Sequence, residues 1–324
     1  MEFLTEPFLV DAKTLAGPVL VTGAGGCMGA WTVSILHRSG VEVVACDLRD
    51  DRRRPGLFLG ETRAARLNWA TCDITELSAL DELVRKYGVQ SIIHLAGLQV
   101  PFCRANPSLG ARVNVEGTIN VLQVAREHNI RRLVYASSIA AYAMPPGGPY
   151  MATLYGAYKQ AGEHAAQIYA MDWDVPSVGI RPNVVYGVAR DQGMSSRCTV
   201  GIAKAVQDKA HDIPYTGTLS WLYAGEAAAA FIAAAGRDGD DAYVFDLNGQ
   251  YETVERGLEI LAEIVPGHNI TASGVPMAMP LDLSDEPLRE HVGDYPSVAV
   301  ETGIELTYRA FLGLEAEGRL IAAV

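Results

Sequence analysis

Short, unbroken apolar runs alternate with longer stretches in which apolar positions recur every three or four residues. Residues 18–22 are such a run and predict a strand, while 26–39 has helical periodicity and stops at Gly40. Residues 41–46 are apolar apart from Glu42 and predict a second strand. The polar, arginine-rich segment 49–60 reads as a loop. A third strand at 67–72, a helix at 76–87 closed by Gly88, and a fourth strand at 91–95 follow. Residues 107–128 are helical, 133–137 a fifth strand, 154–171 a helix and 175–180 a sixth strand. Strands that are apolar at nearly every position need cover on both faces, and strands separated by helices pair in parallel. The expected fold is α/β, a doubly wound parallel sheet of the dinucleotide-binding kind.

The rhythm breaks after Gly187. Residues 188–218 are polar and punctuated, with one helix candidate at 200–208; a further strand is expected at 243–247 and a helix at 306–320. Pro276, Pro280 and Pro287 argue against long elements between 269 and 295. The expected division is a nucleotide-binding domain at 1–187, completed by about 219–250, and a small, mixed substrate lobe from 188–218 and 251–324.

Composition narrows the class. With 49% apolar and 20% charged residues the chain of 324 is globular, and its net charge of −12 disfavours nucleic-acid or anionic-membrane partners. The longest greasy run, 227–235, is too short to span a bilayer. The start of the chain lacks the basic residues and apolar core of a secretory signal, and no two of the five cysteines are spaced as CxxC. Reduced thiols and a cytoplasmic location are expected, with no metal site.

Between the first strand and first helix lies Val19-Leu-Val-Thr-Gly-Ala-Gly-Gly-Cys-Met-Gly29. Gly23 permits a tight turn, Gly26 lets a pyrophosphate approach the backbone, and Gly29 lets helix pack on sheet. The helix N-terminus then offers free N–H donors to phosphate. Asp47, eighteen residues past Gly29 at the end of the second strand, can accept hydrogen bonds from ribose hydroxyls and repel a 2′-phosphate, which favours NAD over NADP. Arg49, Arg52, Arg53 and Arg54 follow it, and one of them could instead take such a phosphate.

Tyr155 and Lys159 are four apart on a predicted helix and so share a face. An ammonium beside a phenol lowers the phenol's pKa, and the phenol can exchange a proton with a substrate oxygen. Ser138 follows the fifth strand, on the sheet edge where such folds bind ligands.

These motifs together strongly resemble the extended short-chain dehydrogenase/reductase family, the NAD-dependent epimerase/dehydratase group. The resemblance covers nearly the whole chain. It rests on Thr22-Gly-Ala-Gly-Gly-Cys-Met-Gly29, Cys72-Asp-Ile74, His94-Leu-Ala-Gly97, Asn114-Val-Glu-Gly-Thr118, Ser137-Ser138, Tyr155-Gly-Ala-Tyr-Lys159 and Arg181-Pro-Asn-Val-Val-Tyr-Gly187. It implies Tyr155 as acid/base, Lys159 as ribose anchor and Ser138 as partner of the substrate oxygen. It implies Asp73 and Ile74 around adenine, Leu95 and Ala96 beside the cofactor, and Cys27 and Met28 at the pyrophosphate turn. Asn114 would brace the active-site strands, and Asn114 and Pro182 are counted with the cofactor site. It also implies a homodimer through the 107–128 and 154–171 helices, where Ala157, Ala161, Ala165 and Ala166 would allow close approach or could equally pack on their own sheet.

The chain departs from the sugar-nucleotide enzymes in two places. Ile139 and Ala140 stand where family dehydratases carry an acid pair after the catalytic hydroxyl, and Leu219 stands near an expected diphosphate-binding arginine. The first argues against dehydration; the second, with the shortness of the second lobe, points to a substrate smaller than a nucleotide sugar or one held by other groups. The expected activity is hydride exchange between NAD and a secondary alcohol or ketone of a sugar-like molecule or hydroxy acid, with an NAD-retaining epimerase as the alternative. Arg104, Asn183, Arg190 and Arg197 are candidates for holding the substrate's far end. Trp221 and Tyr223 could wall the pocket or fill the core, and His94 reads as a packed core residue.

Overall fold

The computed structural model describes residues 1–320. The six apolar runs form β1 (Val19–Thr22), β2 (Val43–Asp47), β3 (Asn68–Thr71), β4 (Ser91–His94), β5 (Arg132–Ala136) and β6 (Ser177–Pro182). The later strands are β7 (Val185–Tyr186), β8 (His211–Ile213), β9 (Thr218–Tyr223), β10 (Ala242–Leu247), β11 (Gln250–Thr253) and β12 (Ile270–Ala272). Seven strands make one sheet in the order β3-β2-β1-β4-β5-β6-β10, with every pair parallel. This is the Rossmann α/β arrangement. β1 has β2 on one side and β4 on the other, so the strand order reverses there. A crevice opens outside the carboxyl ends of those strands, where such sheets bind ligands.

Alternation along each strand explains the unbroken apolar runs. Leu20, Val44, Ile92 and Leu133 face one side and pack with Leu80, Leu83, Val121 and Val124 of the covering helices. Val19, Val21, Val43, Ala45 and Val134 face the other, against Trp31, Ile35 and the alanine-rich helix Ala224–Ala235. A strand covered on both faces has no polar side to show.

A small mixed sheet, β11-β9-β7, begins just before Gly187 and pairs β11 antiparallel and β7 parallel to β9, and β12 pairs with β8. Helices Arg197–Val206, Val254–Ile264, Glu286–Val292 and Val300–Ala316 surround them. The last four residues of the 251–324 segment lie outside the described residues. No helix among the described residues is long and apolar enough to cross a membrane.

Three local readings change. The helix expected at 306–320 spans Val300–Ala316, with Val300 and Ile304 buried in its first turns. The expected loop at 49–60 holds a helix, Arg53–Leu59, because Leu57, Phe58 and Leu59 are buried, with the Phe58 ring 4.5 Å from that of Trp31. Two arginines of the segment, Arg52 and Arg54, are partnered rather than solvated, while Arg49 and Arg53 are exposed. Arg52 donates to the carbonyls of Ala64, Ala65 and Leu67, and Arg54 pairs with Asp191. The single helix expected at 107–128 is divided into Pro107–Ala111, a π turn at Arg112–Glu116 and Gly117–Glu127. Single π turns of this kind recur at functional sites, and this one carries Asn114.

Candidate active site

The glycine loop is shaped by backbone contacts that leave no room for side chains. Gly23 has φ of 72°, and a Cβ there would sit 2.6 Å from the amide nitrogen of Ala96. A Cβ on Gly29 would lie 2.7 Å from Cα of Ala24 and overlap the Gly23 carbonyl oxygen. Gly26 caps the helix Cys27–Arg38, whose first N–H groups open at the carboxyl end of β1. Asp47 ends β2, accepting from the amides of Gly25 at 2.9 Å and Leu48 at 2.7 Å. The Cys27 thiol is pushed up to about 11 by burial despite its helix N-terminus, so it is not a reactive thiolate.

The loop after β4 lies against this turn. The amides of Leu95 and Ala96 donate to the carbonyl and hydroxyl oxygens of Thr22. Asn114 is 1% exposed; its Nδ2 donates to the carbonyls of Leu98 and Gly110, and its Oδ1 accepts from the Leu98 amide. Its side chain thus braces the loop with protein partners. After β3, Asp73 accepts from Thr75, and the Ile74 carbonyl accepts from Asn120. Pro182 closes β6 in pairing with Leu247.

Ser138 begins the 3₁₀ turn Ile139–Ala143 after β5, and its Oγ accepts from the Ala140 amide at 3.2 Å. The helix Leu154–Trp173 is capped by Thr153, whose Oγ1 accepts from the Gly156 amide at 3.0 Å. A side chain on Gly156 would overlap the Ala140 carbonyl, so the glycine lets the helix dock on the Ser138 turn. That docking brings Tyr155 to Ser138. Lys159, one turn on, sends Nζ to the Ala136 carbonyl at 2.6 Å and lies 5.5 Å from the Tyr155 ring centroid. A Cβ on Gly97 would lie 3.5 Å from Nζ, which ties the lysine to the loop after β4. The three side chains expected to act together are therefore assembled beside the loop after β4, which itself packs on the glycine turn.

The electrostatics differ from the simple expectation. Burial raises the Tyr155 phenol above its ordinary value, and a hydrogen bond with Ser138 and the charge of Arg190 pull against it. Lys159 does not supply the expected lowering: its ammonium is turned to the Ala136 carbonyl. Burial brings Lys159 down to about 8. Raised above its ordinary value, the phenol holds its proton at neutral pH.

His94 sits in the core beneath, with Nδ1 2.7 Å from Thr22 Oγ1 and Nε2 3.3 Å from Thr118 Oγ1. Burial, then the charge of Lys159, lowers it to about 3. An unfolded histidine takes up a proton as pH falls through about 6.5, while folded His94 resists. Its contribution is present above about 6.5 and is lost as pH falls toward its folded value. Urea melts of His94→Gln should accordingly show a shallower loss of stability than wild type between about pH 6.5 and 4; identical slopes would refute this.

Sequence reading missed one group. Glu163 lies one turn beyond Lys159 on the same helix face and is 3% exposed. It holds Arg181 through Nε and Nη2, both at 2.7 Å, and accepts a short hydrogen bond from Ser137. Arg181 also stacks over Tyr142, whose hydroxyl donates to Asp246 at 2.8 Å. The network joins Ser137, the Tyr155 helix, β6 and β10. The spacing 155, 159, 163 was its signal.

The other candidates scatter. Arg104 is exposed, and Asn183 is occupied by Asn248 and the Val184 amide. The charge of Arg197 acts on His211. Trp221 and Tyr223, 4% and 0% exposed, are core: their rings pack with Tyr186 at 5.1 and 5.7 Å. Arg190 alone of these acts on the Tyr155 hydroxyl. Among the described residues no cluster of three or more His, Cys, Asp or Glu side chains is placed to hold a metal.

Comparison with known proteins places the chain in a family and relates its fold to solved structures. Residues 19–245 match the NAD dependent epimerase/dehydratase family. The chain is 34% identical to human UDP-glucose 4-epimerase over 139 residues, 40% of either protein, so the match spans two fifths of that relative. It is 28% identical over 318 residues to UDP-glucose 4-epimerase of Mycolicibacterium smegmatis, covering 90% of this chain and 97% of the other. Its fold is shared with L-threonine dehydrogenase from Clostridium difficile, with a TM-score of 0.77 at 19% identity, over 94% and 98% of the two chains.

Proposed function

The chain belongs to the NAD-dependent epimerase/dehydratase family, and within it we propose an oxidoreductase acting on a secondary alcohol or ketone of a small sugar-like or hydroxy-acid substrate. The convergence of Ser138, Tyr155 and Lys159 beside the loop that packs on the glycine turn carries this reading. The cradle fits a dinucleotide: Gly23 and Gly29 have no room for side chains in the tight turn and its helix packing, Gly26 leaves the backbone at the helix start open to a phosphate, and Asp47 stands ready for ribose hydroxyls. Bound NAD would supply the hydride acceptor. Gly23, Gly26, Cys27, Met28 and Gly29 would hold its pyrophosphate; Asp73, Ile74, Leu95 and Ala96 would line it, with Asn114 and Pro182 shaping the adjoining loops.

In this reading Tyr155 moves the proton at the substrate oxygen. Ser138 shares the hydrogen bond that orients that oxygen, and the Lys159 ammonium anchors ribose hydroxyls. The absence of an acid pair at Ile139 and Ala140 disfavours dehydration. Leu219, 1% exposed in the core, offers no diphosphate contact. Incubating the purified protein with NAD and a panel of hydroxy acids and sugars tests the proposal by formation of reduced nicotinamide. The full-length likeness to UDP-glucose 4-epimerase supports a second reading, in which NAD is retained and regenerated. Turnover without added NAD by protein purified with its cofactor would select that one.

We further propose the division into a nucleotide-binding domain, 1–187 with 219–250, and a substrate lobe, a cytoplasmic location, and a homodimer. Leu109, Leu154 and Ile168, 43%, 44% and 47% exposed on the paired helices, support the last. Light scattering should give twice the 34.8 kDa chain mass; a monomer would dismiss the dimer.

A further inference from the structure

The loop that follows β7 turns through positive φ at Gly187, Ala189 and Gly193, with values of 118°, 73° and 97°. Ala189 is the informative one, because an L side chain disfavours that region and the surroundings must enforce it. The strained turn presents Arg190. Its Nη2 donates to Ser195 Oγ at 3.2 Å. With the Gln99 amide oxygen turned toward it, Nη1 donates there at 3.2 Å. Its Nε is buried and has no hydrogen-bond partner. A Cβ at position 193 would come within 3.3 Å of Nη2 and overlap the Gln99 side-chain amide, so Gly193 keeps this corner open.

The neighbouring acid is already taken. Asp191 gives both oxygens to Arg54, at 2.8 and 2.9 Å, and Arg54 also donates to the Gly25 carbonyl of the glycine loop. Among the described residues Arg190 forms no ion pair, and its partners are a neutral amide and a hydroxyl. A partly buried guanidinium without a counter-ion is costly, and an unpartnered Nε beside an Nη is half of the fork that grips an oxyanion. Its charge reaches both the Tyr155 hydroxyl and the Cys27 thiol at the start of the glycine-loop helix, drawing each toward ionisation.

We propose that Arg190 is the oxyanion-recognising residue of this site, held by the strained loop to take a charged oxygen group lying between the glycine loop and Tyr155. The inference rests on the oxidoreductase reading for its ligands: the dinucleotide pyrophosphate, or a carboxylate of the substrate. Both offer the same chemistry to the guanidinium.

Calorimetry on Arg190→Met and Arg190→Lys, with melting checked first, tests it with three probes. These are inorganic pyrophosphate, NADH, and tartronate added to the NADH-saturated protein. Arg190→Met should weaken at least one probe by about tenfold or more, as expected for loss of a charge-assisted hydrogen bond. Arg190→Lys should recover part of the loss by keeping the charge without the fork, which a merely structural role would not show. Loss confined to pyrophosphate and NADH assigns the cofactor as the source, and loss confined to tartronate assigns the substrate. A folded Arg190→Met protein that matches wild type on all three probes, or a wild type that binds none, would overturn the proposal. Wild-type protein that takes pyrophosphate through Arg190 but no NADH would instead sink the oxidoreductase reading and leave the assignment of Arg190 intact.

Discussion

Tyr155→Phe is expected to lower turnover by about 10²–10⁴-fold, the share of a rate that a positioned acid/base supplies. The substitution removes one oxygen and leaves the ring where it is, so NADH affinity and melting should stay close to wild type. The pH profile adds a second readout. Burial raises the phenol's pKa, so alcohol oxidation by wild type should climb as pH rises and the hydroxyl gives up its proton more readily. The residual rate of the Phe variant should lack that climb. Full activity in Tyr155→Phe would remove the proposed mechanism while leaving the fold untouched.

The second large effect concerns stability. Glu163→Ala is expected to cost about 3 kcal/mol, the low end for breaking a buried pair, because it removes both short hydrogen bonds from the Arg181 guanidinium and leaves it only Asp246, at 3.9 Å. The side chains of Glu163 and Arg181 are 4% and 21% exposed, so water can replace little of what is lost. Ser137 would lose its acceptor at the same time. Glu163→Gln, which keeps a hydrogen-bonding oxygen, should be milder. Since Glu163 is one turn from Lys159, the damage should reach activity through the placement of the Tyr155 helix. Denaturant melts that found Glu163→Ala as stable as wild type would show that the network is incidental.

Much of the architecture is legible in the pattern of apolar positions. The strands found at Val19–Thr22 and Ser91–His94 lie within the expected 18–22 and 91–95, because a parallel strand buried on both faces leaves a run with no polar interruption. Ser138, Tyr155 and Lys159 were readable from order and spacing. The helix at Arg53–Leu59 was not, because its buried residues run consecutively from Pro55 to Leu59 and so establish no period, and four arginines dominate the surrounding segment. The N-terminal turn was equally silent. Leu4 and Phe8 are buried there, Phe8 packing on Trp31 and Tyr223, yet neither belongs to a periodic stretch. Their burial depends on partners remote along the chain.

The amino-acid sequence by itself determined the parallel sheet, the phosphate-shaped turn and the Tyr–Lys pair, since each follows from local spacing and from where side chains are absent. Only the tertiary structure decided that the phenol is raised rather than lowered, that Trp221 and Tyr223 are core, that Glu163 locks Arg181, and that Arg190 rather than Arg104 faces the hydroxyl. The physical reason is that burial and charge at a point depend on everything packed around it. Periodicity records which face of an element is covered; it does not record what covers it.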